Sequence, residues 1–115
     1  MTRTPQEVMA HHAPALSAGD LDEIVTDFAD DAVMITPTGA KYGKDGVREA
    51  FSQLLADLPE ASWHVKKQIM ADDLVLLEWT ADAARSRAED GIDTLLIRDG
   101  LIRAQTVHYT LQPTR

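Results

Sequence analysis

The sequence predicts one α+β domain, in which three helices pack on a curved, mainly antiparallel sheet. Two patterns predict it: apolar residues recur at helical spacing in three segments before residue 59, and they alternate at strand spacing from residue 61 onward. Helices followed by a run of strands are typical of α+β domains. A chain of 115 residues has room for one hydrophobic core, so residues 1–115 are predicted to form a single domain.

The first half of the chain carries the helices. Thr4-Pro5-Gln6-Glu7 has the composition of a capping box with proline at the first helical position, and this helix is predicted to run to about Ala18. A second helix is predicted over residues 21–28, and a third from about residue 45 to the residue before Pro59. Between these two helices, residues 32–37 form a short predicted strand.

The second half is predicted to be an antiparallel meander. Its strands are expected at residues 61–71, 74–86, 91–98 and 101–111. The turn signals between them are Asp72-Asp73, Glu89-Asp90-Gly91 and Asp99-Gly100. Alternation along these strands places Trp79 and Asp93 on the inward face. Because an unpaired, ionised carboxylate costs several kcal/mol among apolar neighbours, Asp93 is expected to be paired or neutral.

The histidines differ in their predicted environment. His12 lies four residues from both Val8 and Leu16, so it is predicted on the inward face of the first helix. His11, His64 and His108 are expected on exposed faces. No pair of histidines has the spacing and carboxylate company of a metal site, and no phosphate-binding or dinucleotide motif is present, so we expect neither a metal nor a nucleotide cofactor.

Charge and hydropathy exclude several partners. The balance of 11 basic and 19 acidic residues gives a net charge of −8, which repels nucleic acid and anionic membranes. No apolar run approaches the roughly 20 residues of a membrane-spanning helix. The chain has no cysteine and its first residues lack the apolar stretch of a secretory signal, so a cytoplasmic location is expected.

The order of several short motifs resembles a known family. They are Ala18-Gly19-Asp20-Leu21-Asp22, Phe28-Ala29-Asp30-Asp31-Ala32-Val33, Tyr42-Gly43-Lys44-Asp45-Gly46-Val47, Ile92-Asp93-Thr94, Asp99-Gly100 and Gln105-Thr106-Val107-His108-Tyr109-Thr110. Together they resemble the NTF2-like superfamily, in its SnoaL-like and ketosteroid-isomerase-like branch. The resemblance implies a cystatin-like cone that encloses a pocket for a small apolar molecule. It implies no single reaction, because the fold carries isomerases, cyclases, hydrolases and binding modules.

The resemblance also implies roles for particular residues. Ketosteroid isomerases of this fold use a carboxylate base, a tyrosine and an aspartic acid whose raised pKa keeps it protonated, which is a well-known example of pKa tuning by an apolar site. Asp93 occupies the position of that aspartic acid, His12 that of the tyrosine, and Thr36, just before Pro37, that of the base. A threonine hydroxyl is not a base at neutral pH, so the usual isomerisation route is disfavoured. Asp93 and His12 are therefore the predicted catalytic residues.

The predicted pocket walls combine these two residues with side chains from the inner sheet face and from the third helix. The expected ligand contacts are Met34, Thr36, Phe51, Trp79, Gln105 and Tyr109. Structural interpretations stay open beside each role. Asp93 would be hydrogen-bonded across the sheet, His12 would be a core histidine, and the apolar side chains would fill the core with or without a ligand.

Two classes of function remain at this point. The first is a cofactor-free, isomerase-like or polyketide-cyclase-like enzyme that performs acid–base chemistry. The second is a non-catalytic module for ligand binding or dimerisation, and a homodimer is expected because the outer sheet face is too apolar to lie in water. An epoxide hydrolase ranks lowest, because it would need a second inward aspartate and an inward arginine, and the pattern places neither.

Overall fold

The computed structural model describes residues 2–114 and confirms the α+β class. Three helices pack against one face of an open, curved, mixed sheet. In chain order the elements are α1 (Pro5–Ala18), α2 (Leu21–Thr26), β1 (Phe28–Thr36), β2 (Gly39–Tyr42), α3 (Gly43–Asp57), β3 (Ser62–Ala71), β4 (Leu74–Asp82), β5 (Ser86–Arg98), β6 (Leu101–His108) and β7 (Gln112–Pro113).

The sheet is built around the predicted meander. Strands β3, β4, β5 and β6 pair antiparallel with their neighbours in sequence, and the full order is β2-β1-β6-β5-β4-β3. β1 joins β6 in parallel, and β2 folds back on β1 as a hairpin at the sheet edge. The short β7 pairs with the beginning of β5. The concave face of the sheet is thus framed by helices, as a pocket requires.

Local sequence signals account for the helix ends. The Thr4 side chain accepts a hydrogen bond from the Glu7 backbone N–H, and the Glu7 side chain accepts one from the Thr4 N–H. This is the predicted capping box, which satisfies two backbone donors at the start of α1. Gly19, at φ 67°, ends the same helix in the left-handed conformation that glycine adopts without strain.

The predicted end of the second helix is wrong. Helical spacing favoured a helix through Phe28, but α2 ends at Thr26 and Phe28 begins β1. Phe28 is fully buried and pairs with Ile102 of β6, whose N–H donates to the carbonyl of Asp27 at 2.8 Å. Tertiary pairing with a strand far along the chain overrides local helical spacing. The hairpin strand β2 was not predicted.

The predicted turn at Glu89-Asp90-Gly91 is also wrong, because these residues lie within β5. Gly91 faces Trp79 of β4, and a Cβ atom at position 91 would overlap the indole ring. The glycine therefore serves close packing instead of chain reversal. The link from β4 to β5 falls at residues 83–85, where the Ala83 N–H donates to the Ser86 carbonyl at 2.8 Å.

The hydrophobic core lies between the helices and the concave face of the sheet. Its fully or almost fully buried side chains include Val8, Ile24, Phe28, Val47, Leu58, Val75, Leu95, Ile97 and Ile102. The opposite sheet face leaves several large apolar side chains exposed, namely Ile35, Ile69, Leu74 and Ile92. Among residues 2–114, no helix has the length and apolar character needed to cross a membrane. The cytoplasmic location stays a prediction.

Candidate functional site

Two cavities lie where the sequence predicted one pocket. The larger, about 310 Å³, is here called the Asp93 cavity, and its predicted lining residues are His12, Phe51, Trp79 and Asp93. The smaller, about 260 Å³, is called the Tyr109 cavity, and its predicted lining residues are Met34, Thr36, Phe51 and Tyr109. The structure thus brings both predicted catalytic residues to one cavity. Thr36, at the family's usual base position, lies in the other.

Asp93 lies on β5 at the wall of the Asp93 cavity. Its side chain is 8% exposed, and both carboxyl oxygens accept hydrogen bonds at 3.0 Å, Oδ1 from Trp79 Nε1 and Oδ2 from Gln105 Nε2. Burial raises the pKa of the Asp93 carboxyl to about 7, although these two hydrogen bonds favour the ionised form. Near neutral pH the group therefore exists in both protonation states.

His12 faces the same cavity from α1. It is 4% exposed and packs edge-on against Phe28 and Phe51, with ring centroids 5.9 Å and 5.6 Å away. Burial lowers its pKa to about 4, so the imidazole is neutral at pH 7. Its Nδ1 atom is shielded and has no hydrogen-bond partner among the described residues. The nearby carboxylate oxygen, Asp27 Oδ2, is 3.8 Å from this atom.

Gln105 lines neither cavity. It is 2% exposed and contacts the site through its hydrogen bond to Asp93, while its own Oε1 atom is buried without a partner in residues 2–114. The structure therefore places Gln105 behind Asp93, where it orients the carboxyl group. Trp79 has two roles: its indole N–H donates a hydrogen bond to Asp93, and its ring lines the Asp93 cavity.

Trp63 is a cavity residue that the sequence reasoning missed. It comes from the edge strand β3 and packs on Trp79 with ring centroids 5.4 Å apart. The two tryptophans form an apolar wall opposite α1. Trp63 pairs with Ala81, an inward residue of β4. Because paired residues face the same side of a sheet, aligning β3 with β4 would have predicted that Trp63 points inward.

A buried carboxylate beneath His12 was also missed. Asp27 is fully buried and accepts hydrogen bonds from Arg3 Nη1 at 2.9 Å and from His11 Nδ1 at 2.8 Å. His11 was predicted to be exposed, but it is half-buried by this contact. Its pKa is raised by the hydrogen bond to Asp27 and then by that to Glu23. Asp27 lies three residues after the buried Ile24, a helical spacing that indicated its inward position.

The sequence pattern placed no second inward carboxylate, but Asp27 is one. Arg3 forms an ion pair with Asp27, yet Asp27 lines neither cavity. The two aspartates therefore do not share a cavity in which they would hold one water molecule. The epoxide-hydrolase arrangement is not reproduced by the described residues.

The Tyr109 cavity has a different polar rim. The Tyr109 hydroxyl donates to Asp57 Oδ2 at 2.7 Å, and burial together with this bond raises the pKa of the phenol. Lys41 Nζ donates to Glu49 Oε1 at 2.9 Å across another part of the rim. Thr36 Oγ1 lies 3.1 Å from Thr38 Oγ1. These groups are hydrogen-bonded or paired with one another. Among residues 2–114, the unpaired buried polar atoms of the two cavities, His12 Nδ1 and Gln105 Oε1, lie on or behind the wall of the Asp93 cavity.

The chemistry available in the Asp93 cavity follows from its two titratable side chains, His12 and Asp93. A neutral imidazole accepts a proton, and a carboxyl group with a pKa near 7 donates one or gives a hydrogen bond. The lining is largely apolar, and a low local dielectric constant strengthens both effects. Within residues 2–114, no three potential ligands are grouped so as to hold a metal ion.

Comparison with known proteins identifies the family. The family model for the SnoaL-like domain matches residues 8–105. The match spans most of the chain, beginning within α1 and ending within β6. The protein therefore belongs to the SnoaL-like family, as its motifs predicted. No curated protein sequence matches it.

Solved structures confirm the fold. An NTF2-like protein from Burkholderia xenovorans has a TM-score of 0.77 at 19% identity, with 96% of this chain and 84% of that chain covered. A candidate ketosteroid isomerase from Kribbella flavida has a TM-score of 0.76 at 16% identity, with coverages of 96% and 82%. IdmH from Streptomyces antibioticus, a candidate polyketide cyclase, has a TM-score of 0.74 at 18% identity, with coverages of 93% and 92%. At these identities the likeness concerns the fold alone.

Proposed function

We propose that the Asp93 cavity binds a small apolar molecule carrying a carbonyl or hydroxyl group and performs cofactor-free acid–base chemistry on it. The observation that carries this proposal is the placement of His12 and Asp93 on the wall of one apolar cavity of about 310 Å³. Cavities that combine apolar walls with a few convergent polar groups of shifted pKa are typical ligand sites.

The proposed reaction is a proton transfer next to a carbonyl group. The neutral His12 imidazole takes a proton from the carbon beside the carbonyl. The electron pair of that C–H bond forms a carbon–carbon double bond, and the π pair of the carbonyl moves onto its oxygen to give an enolate. Protonated Asp93 hydrogen-bonds to this oxygen and stabilises the developing negative charge. Returning this proton to a conjugated carbon completes an isomerisation, with no net change in atoms or electrons. Replacement of the proton on the imidazolium by one from solvent, followed by its return to the same carbon, completes an exchange.

The neighbouring groups support this division of roles. Asp27 lies 3.8 Å from His12 Nδ1, and its negative charge favours the imidazolium once a proton has been taken up. Trp79 and Gln105 hold the Asp93 carboxyl from the sheet side. Base and acid thus have opposite pKa shifts in one cavity, a pattern that marks acid–base pairs in enzymes. The names of the candidate isomerase and cyclase of similar fold are in keeping with such chemistry.

One observation favours the alternative, a non-catalytic ligand-binding or dimerisation module. Both Asp93 oxygens are already hydrogen-bonded within the protein, and the side chain is only 8% exposed. In that case Asp93 would fix Trp79 and Gln105 in the sheet, and the cavity would bind a ligand without transforming it. The two proposals differ in whether a bound ketone exchanges protons.

Hydrogen–deuterium exchange into 2-tetralone tests the proposal, because this ketone is apolar and has acidic C–H groups beside its carbonyl. We expect the protein to accelerate exchange in D₂O, and we expect His12→Phe and Asp93→Asn to lose the acceleration. Matched controls are His108→Phe and Asp82→Asn, which change exposed residues away from the cavity. Binding without acceleration would support the module, and the absence of both would refute a ketone site.

We further propose that the protein forms a homodimer through the outer sheet face. Ile35, Ile69 and Ile92 are 52%, 51% and 40% exposed there, and Leu76 and Leu96 lie half-buried beside them. An apolar surface of this kind costs free energy in water, and a second copy of the same face covers it with two-fold symmetry.

A further inference from the structure

The two cavities share a wall made by one helix. Phe51 and Leu54, three residues apart on the same face of α3, contact both the Asp93 cavity and the Tyr109 cavity. His12 and Asp93 lie on one side of this wall, and Tyr109 and Thr36 lie on the other. A continuous pocket of the kind the sequence predicted is therefore interrupted by two side chains.

Phe51 is held firmly in this position. It is 2% exposed, and its ring packs edge-on against Phe28 and His12, with centroids 5.7 Å and 5.6 Å away. Edge-to-face pairs of this geometry stabilise one ring orientation. Because its ring is packed against two other aromatic rings, Phe51 cannot rotate aside without disturbing His12. The wall therefore behaves as a fixed barrier.

The cavity sizes show what the barrier does. Ligand pockets usually measure about 300–1,000 Å³, so the Asp93 cavity, at about 310 Å³, is near the lower limit by itself. The Tyr109 cavity, at about 260 Å³, is of similar size, and the two joined would be well within the usual range. The space for a long ligand exists, and the barrier closes half of it.

We propose that Phe51 is the specificity-determining residue of the Asp93 cavity and limits its ligands to short molecules. Such a ligand has one polar group at the His12 and Asp93 end and a compact apolar body that stops at the Phe51 ring. Truncation of Phe51 joins the cavities and admits an apolar tail that extends toward Tyr109. This inference rests on the proposed function, because it assumes that the Asp93 cavity binds ligands.

A series of 4-alkylphenols, from methyl to octyl, tests the barrier. Both tryptophans of the chain, Trp63 and Trp79, line the Asp93 cavity, so quenching of intrinsic fluorescence reports binding there, and calorimetry gives an independent affinity. In the unmodified protein we expect the affinity to rise about fourfold for each added methylene while the chain stays in the cavity, and then to stop rising.

Phe51→Ala should move this limit to longer chains, and the chain length at which the affinity stops rising is the quantity compared, because Phe51 itself lines the cavity. At least two further methylenes would be buried, which increases the affinity for the longest members about sixteenfold over the unmodified protein. Phe51→Leu, which keeps a branched apolar side chain, is the second variant if truncation to alanine prevents folding, and its limit should move in the same direction. The control is Val47→Ala, one turn earlier on α3, because Val47 is fully buried and lines neither cavity.

The outcomes separate the two proposals. Binding of short phenols with an unchanged length limit in the Phe51 variants, or with no limit in the unmodified protein, overturns the role of Phe51 and leaves the cavity as a ligand site. Failure of every phenol to bind the unmodified protein and the variants overturns the ligand site and the barrier together. A shift in the Val47→Ala control equal to that in Phe51→Ala would also overturn the inference.

Discussion

Replacing Asp93 by asparagine should stabilise the protein at alkaline pH. Burial raises the pKa of this carboxyl from an ordinary value of 3.8 to about 7, and each tenfold change in the ionisation constant corresponds to about 1.4 kcal/mol. The ionised carboxylate therefore costs the folded state about 4 kcal/mol above pH 7. The neutral amide avoids this cost. Gln105 has an unpartnered Oε1 atom that can accept from the new amide once its own amide group is turned over.

The pH dependence of this effect has a definite sign. Because the folded-state pKa lies above the unfolded one, the folded protein binds the extra proton between about pH 4 and pH 7, and stability is lost as the pH rises through this window. About half of this free-energy cost of the ionised carboxylate is present by pH 5.5. The free-energy difference between Asp93→Asn and the unmodified protein should therefore grow by about 2 kcal/mol from pH 5.5 to pH 8.5.

Two histidines also titrate in this range, but they are the same in both proteins. The raised pKa of His11 gives stability that is lost as the pH rises, and the lowered pKa of His12 gives stability that is lost as the pH falls toward about 4. Both contributions cancel in the difference between variant and unmodified protein. The comparison of two denaturation curves at each pH thus isolates Asp93.

Urea denaturation at several pH values measures the difference directly. Asp82→Asn is the matched control, because Asp82 is an exposed aspartate at the end of the neighbouring strand. A difference for Asp93→Asn that is independent of pH, or that shrinks toward pH 8.5, would refute the reasoning. It would mean that the carboxyl ionises in the folded protein as easily as it does in the unfolded chain.

Three further predictions concern His12, Gly91 and the outer sheet face. The NMR ring signals of His12 should stay constant from pH 8 to pH 5, because burial lowers its pKa to about 4, and a midpoint near 6.5 would contradict its burial. Gly91→Ala should cost about 1–3 kcal/mol in urea denaturation and change tryptophan fluorescence, because the new Cβ atom overlaps the Trp79 ring, and unchanged stability would contradict this packing. Sedimentation should give a dimer for the unmodified protein and a monomer for Thr94→Arg, which places a charge on the outer sheet face. A monomeric unmodified protein would contradict the dimer.

The site was partly accessible from the sequence. Asp93 and His12 were found because two-residue and four-residue spacings mark inward positions on a strand and on a helix. Asp27 was missed although its three-residue spacing from Ile24 indicated burial. The positions of Gln105 behind Asp93 and of Thr36 in a separate cavity depend on which side chains fill the space between them.

The sequence by itself determined those features that depend on neighbours along the chain. These are the start of α1 at its capping box, the class of most elements, the antiparallel meander with its hairpin turn at Asp99-Gly100, and the inward side of β4 and β5. Only the tertiary structure decided the parallel pairing of β1 with β6, the burial of Gly91 under Trp79, and the division of the pocket by Phe51. The physical reason is that spacing reports the direction of a side chain, whereas cavities and long-range pairs depend on the volumes of side chains that meet from distant segments.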